Sequence, residues 1–367
     1  MHKIVIDARM INHSGIGTYM KNLLNVLMDD YHLVLLGDLI EIRKYINVRK
    51  VEIIDFFSPI YSISEQLVYP IKIPSCDIFI SPHYNIPLLP IKAKKRIVII
   101  NDANHLAFYN QLSFTQKIYT KIMMNRAVNL ADKIIAISHF SKSEILKYFQ
   151  IDPNKIKVVH FGLDPKIIYS ELQKETSDLL IIPKKFFLFV GNIKPHKNLI
   201  SLLRAFEIIL KSRIDYKLVI IGKKEGFITG DNEVFTLVEN NKILSENIIF
   251  TGYIENLELY NYYKKASIFI FPSLYEGFGI PPLEAMICNC PVIASNLTAI
   301  PEICGNSVLY INALDPVDIA EKINLLIYDK NLCNELIQKG KLQINKFSLA
   351  NFSHNLKEVI KELIIKG

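Results

Sequence analysis

The sequence predicts an α/β protein made of two Rossmann-like, doubly wound domains, and three observations carry that expectation. Its 367 residues exceed what one hydrophobic core ordinarily supports, so two domains are expected. Short runs rich in Ile, Val and Phe alternate with longer amphipathic segments nearly from end to end, the pattern of parallel sheets covered by helices on both faces. Half of the residues are hydrophobic and 22% are charged, a globular rather than a disordered balance.

In the first half the strand-like runs are KIVIDA, HLVLLG, VEIIDF, DIFISP, RIVIIND, KIIAIS and IKVVHFG. In the second they are FFLFVGN, YKLVIIG, NIIFTGY, SIFIFPS, PVIAS and SVLYIN. Between residues 163 and 185 the alternation lapses and polar residues gather, which marks an interdomain linker. The expected division is a first domain over 1–165, a linker over 166–184, a second domain over 185–345 and a terminal helix over 346–367. That helix carries Phe352, Leu356, Val359, Ile360 and Leu363 at helical spacing, and the seam between the domains is one place for it to dock.

Composition excludes several classes. No apolar run approaches the roughly 18 residues of a membrane-spanning helix; even LISLLRAFEIIL is interrupted by Arg204. The opening MHKIVIDARM reads as a buried strand without the features of a signal peptide, so a cytoplasmic location is expected. Cys76, Cys288, Cys290, Cys304 and Cys333 are scattered, which suits reduced thiols rather than a disulfide framework or a zinc site. The net charge of +7 favours polyanionic or membrane-surface partners, or is simply a solvated basic surface. Nucleic acid is not expected, because no Lys/Arg run is interleaved with stacking aromatics.

In doubly wound sheets ligands bind beyond the carboxyl ends of the strands, so residues just after strands matter most. The first such segment is DARMINHSGIGTYMKNLL, in which a strand ends at Asp7 and a helix starts near Ile16. Gly15 and Gly17 bring the backbone close to a helix N-terminus, where free amides favour an anion, and they equally suit a plain tight turn. Met20 stands where a dinucleotide fingerprint needs its third glycine, which weakens an NAD reading.

The second segment is VGNIKPHKNLISLLRAFEIIL, where a strand ends at Gly191 and Asn198 is expected to cap a helix. Leu199, Leu202, Leu203, Phe206 and Leu210 form the apolar face of that helix. Lys194 and Lys197 then sit before its positive end, an unfavourable place for a cation unless an anion arrives, which points to phosphate, although a solvent-exposed lysine tolerates the position at small cost. Lys223 and Lys224 offer further cations on the next loop, although GKKEG lacks the spacing of a triphosphate-binding loop.

The third segment, PSLYEGFGIPPLEAM, places Glu276 and Glu284 on either side of a Gly-Phe-Gly turn and two prolines. Proline favours the first helical turn, so a helix is expected from Pro281 or Pro282, with Glu276 in the loop and Glu284 in the first turn. There an acid offsets the helix dipole by about 0.3–1 kcal/mol. If the lysines hold phosphate, the two carboxylates are suited to accept hydrogen bonds from sugar hydroxyls, while the amides around Gly277, Phe278 and Gly279 serve an anionic oxygen.

These segments, with SPHYNIP, IINDANHL, AISHFSKSEIL and the run FPSLYEGFGIPPLEAMICNCPVIASNLTAIPEICG, resemble the retaining glycosyltransferases of GT-B architecture, a group with many bacterial mannosyltransferases of polysaccharide assembly. The resemblance implies that Glu284 binds the donor's ribose, that Glu276 lies near the transferred sugar, and that Lys197 binds the diphosphate. It further implies a donor-facing set of Gly191, Asn192, Lys223, Tyr253, Gly277, Phe278, Gly279 and Ile280. In the first domain it implies an acceptor- or phosphate-facing set of Gly15, Ile16, Gly17, Asn101 and Ser138, with Asp102 and His105 in the catalytic group. Two departures stand out. Asn192 replaces a common arginine, and Asn101-Asp102 replaces the usual His-Asp, so that either His105 or the Asn101 amide takes over that work.

The implied activity is sugar transfer with retention from a nucleotide diphosphate sugar, GDP-mannose being favoured, to a glycan or polyprenyl-linked glycan acceptor. Neither a metal nor a cofactor is implied, because lysine and helix dipoles can stabilise the leaving diphosphate. The segment FTQKIYTKIMMNRAVNL, with Lys117, Lys121 and Arg126 among apolar residues, suits either an anionic membrane surface or a buried helix with a charged edge. A nucleotide-sugar epimerase of the same architecture and a non-catalytic partner protein are the competing readings.

Overall fold

The computed structural model describes residues 1–13, 15–46, 50–109, 112–172, 182–212, 214–222 and 231–365. The chain divides into two compact units, one of Met1–Gly162 with Phe347–Gly367 and the other of Leu163–Lys346.

Among the described residues, the first unit holds seven strands: β1 (Lys3–Asp7), β2 (His32–Gly37), β3 (Glu52–Asp55), β4 (Cys76–Ser81), β5 (Ala93–Ile100), β6 (Lys133–Ala136) and β7 (Ile156–Val158). They form one sheet in the order β3-β2-β1-β4-β5-β6-β7, and every pairing is parallel. Strand β1 lies near the middle with Ile4, Val5 and Ile6 fully buried, as a strand covered on both faces requires. The order reverses between β1 and β4, so the connections after these two strands leave toward opposite sides of the sheet and open a crevice at their carboxyl ends.

The second unit repeats the design with β8 (Phe186–Val190), β9 (Lys217–Ile221), β10 (Ile248–Gly252), β11 (Ile268–Phe271), β12 (Val292–Ser295) and β13 (Leu309–Ile311). Their order is β10-β9-β8-β11-β12-β13, again parallel throughout, with the reversal between β8 and β11. The helix Leu199–Lys211 buries Leu199, Leu202, Leu203, Phe206 and Ile209 on this sheet, with Leu210 half-buried at the edge of the same core. Each strand-like run of the sequence thus holds a strand, and the doubly wound α/β class is the observed one.

The stretch expected to be linker begins as a helix, Pro165–Leu172, which packs on the helix Asn256–Lys265. Residues 173–181 of that stretch lie outside the described residues. The terminal helix Leu349–Ile365 buries the five residues expected of it. Its face lies on the helix Ile16–Leu27 of the first unit, where the rings of Phe352 and Tyr19 meet edge to face at 5.3 Å. Ion pairs from Lys133 and Lys157 to Glu362 and from Lys357 to Asp30 hold it there. After β13 the chain therefore returns to complete the first unit.

Candidate functional site

In the second unit the loops that follow β8 and β11 are stitched together at the switch point. After Val190 the chain passes Gly191 and Asn192, makes one 3-10 turn at Pro195–Lys197 and enters the helix Leu199–Lys211 through Asn198. Asn198 is left-handed, with φ +56°, and its side chain does not cap the helix as the sequence suggested. Capping needs an extended residue whose oxygen reaches the first-turn amides. Asn198 instead donates from Nδ2 to the carbonyls of Pro272 (3.1 Å) and Ala313 (2.5 Å), and Ser201 donates to its Oδ1 at 2.7 Å. The amide of Leu274 donates to the carbonyl of His196 at 2.8 Å.

This stitching brings Lys197 and Glu276 together. Lys197 Nζ lies 2.5 Å from Glu276 Oε1, and the side chains are only 17% and 14% exposed. The sequence argument that a lysine here waits for an outside anion is corrected accordingly, because Glu276 itself supplies the counter-charge. Lys197 Nζ also stands 5.6 Å from the centre of the Phe271 ring. Burial, with Lys197 and Lys194 nearby, pushes His196 down to about 3, so that imidazole is neutral at physiological pH.

Past Glu276 the loop turns at Gly279, whose φ of +102° disfavours any residue with a Cβ. The helix that follows is Ile280–Ile287, so it begins at Ile280 rather than at either proline. Pro281 and Pro282 fill its second and third positions, where the missing N–H groups have no intrahelical partner to lose. Glu284 is consequently the fifth helical residue and lies beyond the first turn, so the dipole account expected of it fails. Its Oε2 accepts a hydrogen bond from the Tyr263 hydroxyl at 3.2 Å. Burial pushes the carboxyl up to about 7, and that hydrogen bond only partly opposes the shift.

The other donor-facing positions divide. Gly191 and Asn192 lie at the end of β8 beside Lys197, and Tyr253 follows the edge strand β10 with its side chain exposed. Phe278 is buried, and Ile280 opens the helix. Lys223 and Lys224 lie outside the described residues.

In the first unit, Gly15 takes φ +68° at the N-cap of the helix Ile16–Leu27. A Cβ on Gly17 would come within 2.3 Å of the Ile11 carbonyl, so the tight-turn reading of these glycines has a steric basis. Asn101 follows β5, and its Nδ2 is buried with no hydrogen-bond partner among the described residues, a donor held ready. Asp102 accepts from the Asn104 amide at 3.0 Å just before the short helix Asn104–Ala107 that carries His105, whose ring meets Tyr84 at 5.7 Å. Ser138 is fully buried and caps the helix His139–Tyr148, its hydroxyl accepting from the Ser141 amide at 2.9 Å.

Sequence reasoning overlooked the charged cluster at the carboxyl end of β1. Arg9 donates to both Asp7 oxygens, at 2.9 and 2.7 Å, and pairs with Glu65 at 2.9 Å. Tyr69 donates to Asp7 at 2.6 Å, and Asn85 donates to Glu65 at 2.9 Å. The guanidinium lies 4.2 Å from the centre of the Phe56 ring. A charge two residues past a strand was the available signal, but nothing local ties Arg9 to Glu65.

Two parallel switch-point sheets, with a lysine, a glutamate pair and a Gly-Phe-Gly turn at the second, define a glycosyltransferase of GT-B architecture. Residues 174–343 match the family model of glycosyl transferases group 1, and residues 14–167 match that of glycosyltransferase family 4. The two halves of the chain thus carry the glycosyltransferase domains that these two family models describe. It is 30% identical over 275 residues to the serotype-specific mannosyltransferase WbdA of Escherichia coli, covering 73% of this chain but only 31% of that protein. With the O-antigen chain mannosyltransferase RfbU of Salmonella typhimurium it shares 28% identity over 256 residues, 70% of this chain and 66% of that one. The crystal structure of Anabaena HepE in complex with UDP and glucose superimposes with a TM-score of 0.74 at 15% identity, covering 99% of this chain and 100% of that one, a likeness of fold.

Proposed function

We propose that the chain is a retaining hexosyltransferase that moves mannose from GDP-mannose to a glycan or lipid-linked glycan during surface polysaccharide synthesis, working at the inner face of the membrane. The observation that carries the proposal is the Lys197–Glu276 pair, at 2.5 Å, on the loops that face the switch point of the second sheet. That WbdA and RfbU are named mannosyltransferases supports the choice of sugar.

In this reading the diphosphate takes Lys197, and Glu276, released, accepts hydrogen bonds from hydroxyls of the transferred sugar. Glu284 accepts from the ribose hydroxyls, which suits a half-buried carboxyl that already has one donor in Tyr263. The acceptor oxygen bonds to the anomeric carbon on the face from which the diphosphate departs. The broken bond leaves its electron pair on the phosphate oxygen, which takes the acceptor proton. Lys197 and the loop amides stabilise the charge that grows on that oxygen, and no metal ion or protein base is needed for the step.

The test is transfer of labelled mannose from GDP-mannose into lipid-extractable product, with the anomeric configuration read by NMR. An α-linked product that requires acceptor supports the reading. Conversion of the sugar nucleotide alone, without acceptor, would assign the chain to the epimerases instead.

A further inference from the structure

Two helices of the first unit turn apolar side chains outward at i, i+4, i+8 spacing, where a globular surface normally presents polar ones. In the helix Ile63–Lys72 they are Ile63, Leu67 and Ile71, exposed by 84%, 61% and 81%. In the helix Phe114–Leu130 they are Phe114, Ile118 and Ile122, exposed by 77%, 45% and 50%. Such a row covers one face of a helix, and six large apolar side chains form more than the scattered exposure of an ordinary surface.

Both helices are anchored on one segment of chain. Gln66 of the first helix bonds the carbonyl of Ile86 at 3.2 Å and the amide of Leu88 at 2.9 Å. Tyr119 of the second bonds Asn85 at 2.5 Å, and its ring meets that of Tyr61 at 5.7 Å. The two helices therefore share the segment Asn85–Leu88 as a common support, and Leu89, next along it, is exposed.

Charge decides what covers this surface. From Ile78 to Ala131 the only acidic residue is Asp102, whereas Lys121 and Arg126 stand on the exposed side of the second helix. In the helix Ile63–Lys72 the only acid is Glu65, which is buried and paired with Arg9. Apolar rows flanked by cations and lacking exposed acids match an interface of acyl chains beneath anionic headgroups. We propose that Ile63–Lys72 and Phe114–Leu130 together form the face by which the chain docks on an anionic lipid bilayer. This gives the membrane-surface reading above its residues, adds a helix that the sequence did not flag, and rests on that reading only for the need to reach a lipid-linked acceptor.

The experiment is cosedimentation of the full chain with phosphatidylcholine vesicles with and without phosphatidylglycerol, at low and high salt. Binding is expected only to the phosphatidylglycerol vesicles and is weakened by salt. The pairs Ile63→Ser/Ile71→Ser and Phe114→Ser/Ile118→Ser are each expected to lower partitioning by about tenfold or more, and Lys121→Glu/Arg126→Glu to abolish it at low salt. These positions are exposed, so unchanged circular dichroism and melting are expected and would exclude misfolding. Wild-type protein that ignores anionic vesicles, or variants that bind as tightly as wild type, would overturn the proposal. So would a dimer in sedimentation velocity that the same serine variants dissociate, because a second copy would then be the occupant. Vesicle binding requires no donor, so its failure would leave the transferase reading standing, and failed transfer with intact binding would leave this surface standing.

Discussion

Glu284 binds its proton more tightly in the folded chain than at its ordinary value of 4.5, because burial pushes it up to about 7. A carboxyl raised in this way contributes stability that is fully present below pH 4.5 and is lost as pH rises through about 7. Glu284→Gln keeps a neutral side chain at every pH. Thermal melts should therefore show the variant gaining on wild type between pH 4.5 and 8, by about 2–3 kcal/mol, with little difference at pH 4. A difference that stays constant with pH would place the ionisation elsewhere. The Lys197–Glu276 pair makes a second and less intuitive prediction. Because Glu276 competes with any anion for Lys197, Glu276→Gln should tighten binding of inorganic diphosphate by about tenfold while lowering sugar transfer. Titration calorimetry reads the first effect, and weaker diphosphate binding would refute the competition. At this scale Lys197 stood out in the sequence as a cation placed before a helix start, and Glu276 as an acid in a loop with no helix dipole to offset. Their mutual pairing did not, since it depends on a bond across 79 positions of chain.

Among the elements, the turn at Asn198 determines whether the two loops meet. Its left-handed backbone favours Asn or Gly, and its side chain makes three hydrogen bonds, two of them buried. Asn198→Gly keeps the backbone and loses the bonds, so it should cost about 2 kcal/mol, and Asn198→Ala should cost about 1 kcal/mol more for the strained φ. Denaturant unfolding of the two variants measures both terms, and equal stability would remove the backbone contribution. Sequence reasoning found the helix Leu199–Lys211 from its apolar spacing but gave Asn198 a capping role, because residue type alone does not reveal a left-handed φ. The start of Ile280–Ile287 was legible to within one or two residues from the two prolines. That small shift nonetheless carried Glu284 out of the first turn and changed the account of its charge. The stripe Ile63, Leu67, Ile71 went unread, since an apolar row at helical spacing looks the same in sequence whether it faces a core or solvent.

At the scale of the whole molecule, the thirteen strand-like runs could be read because a strand buried on both faces must be a nearly continuous apolar run. Strand order and the return of the chain after β13 depend on contacts far apart in sequence, and local pattern does not carry them. The terminal helix makes the return testable. Phe352→Ala should destabilise the first unit by about 3–5 kcal/mol. Hydrogen exchange should then rise in β1 and in Ile16–Leu27 while β8 to β13 keep their protection, and uniform loss across both sheets would contradict the division into units. The account as a whole rests on one claim, that the loops after β8 and β11 hold a nucleotide diphosphate sugar through Lys197, Glu276 and Glu284. Its most direct test is calorimetric titration of GDP-mannose, GDP and UDP-glucose into the full chain and into Lys197→Ala. The account predicts tightest binding for GDP-mannose and a loss of about a hundredfold in the variant. No binding of any nucleotide, or equal affinity of wild type and variant, would contradict it.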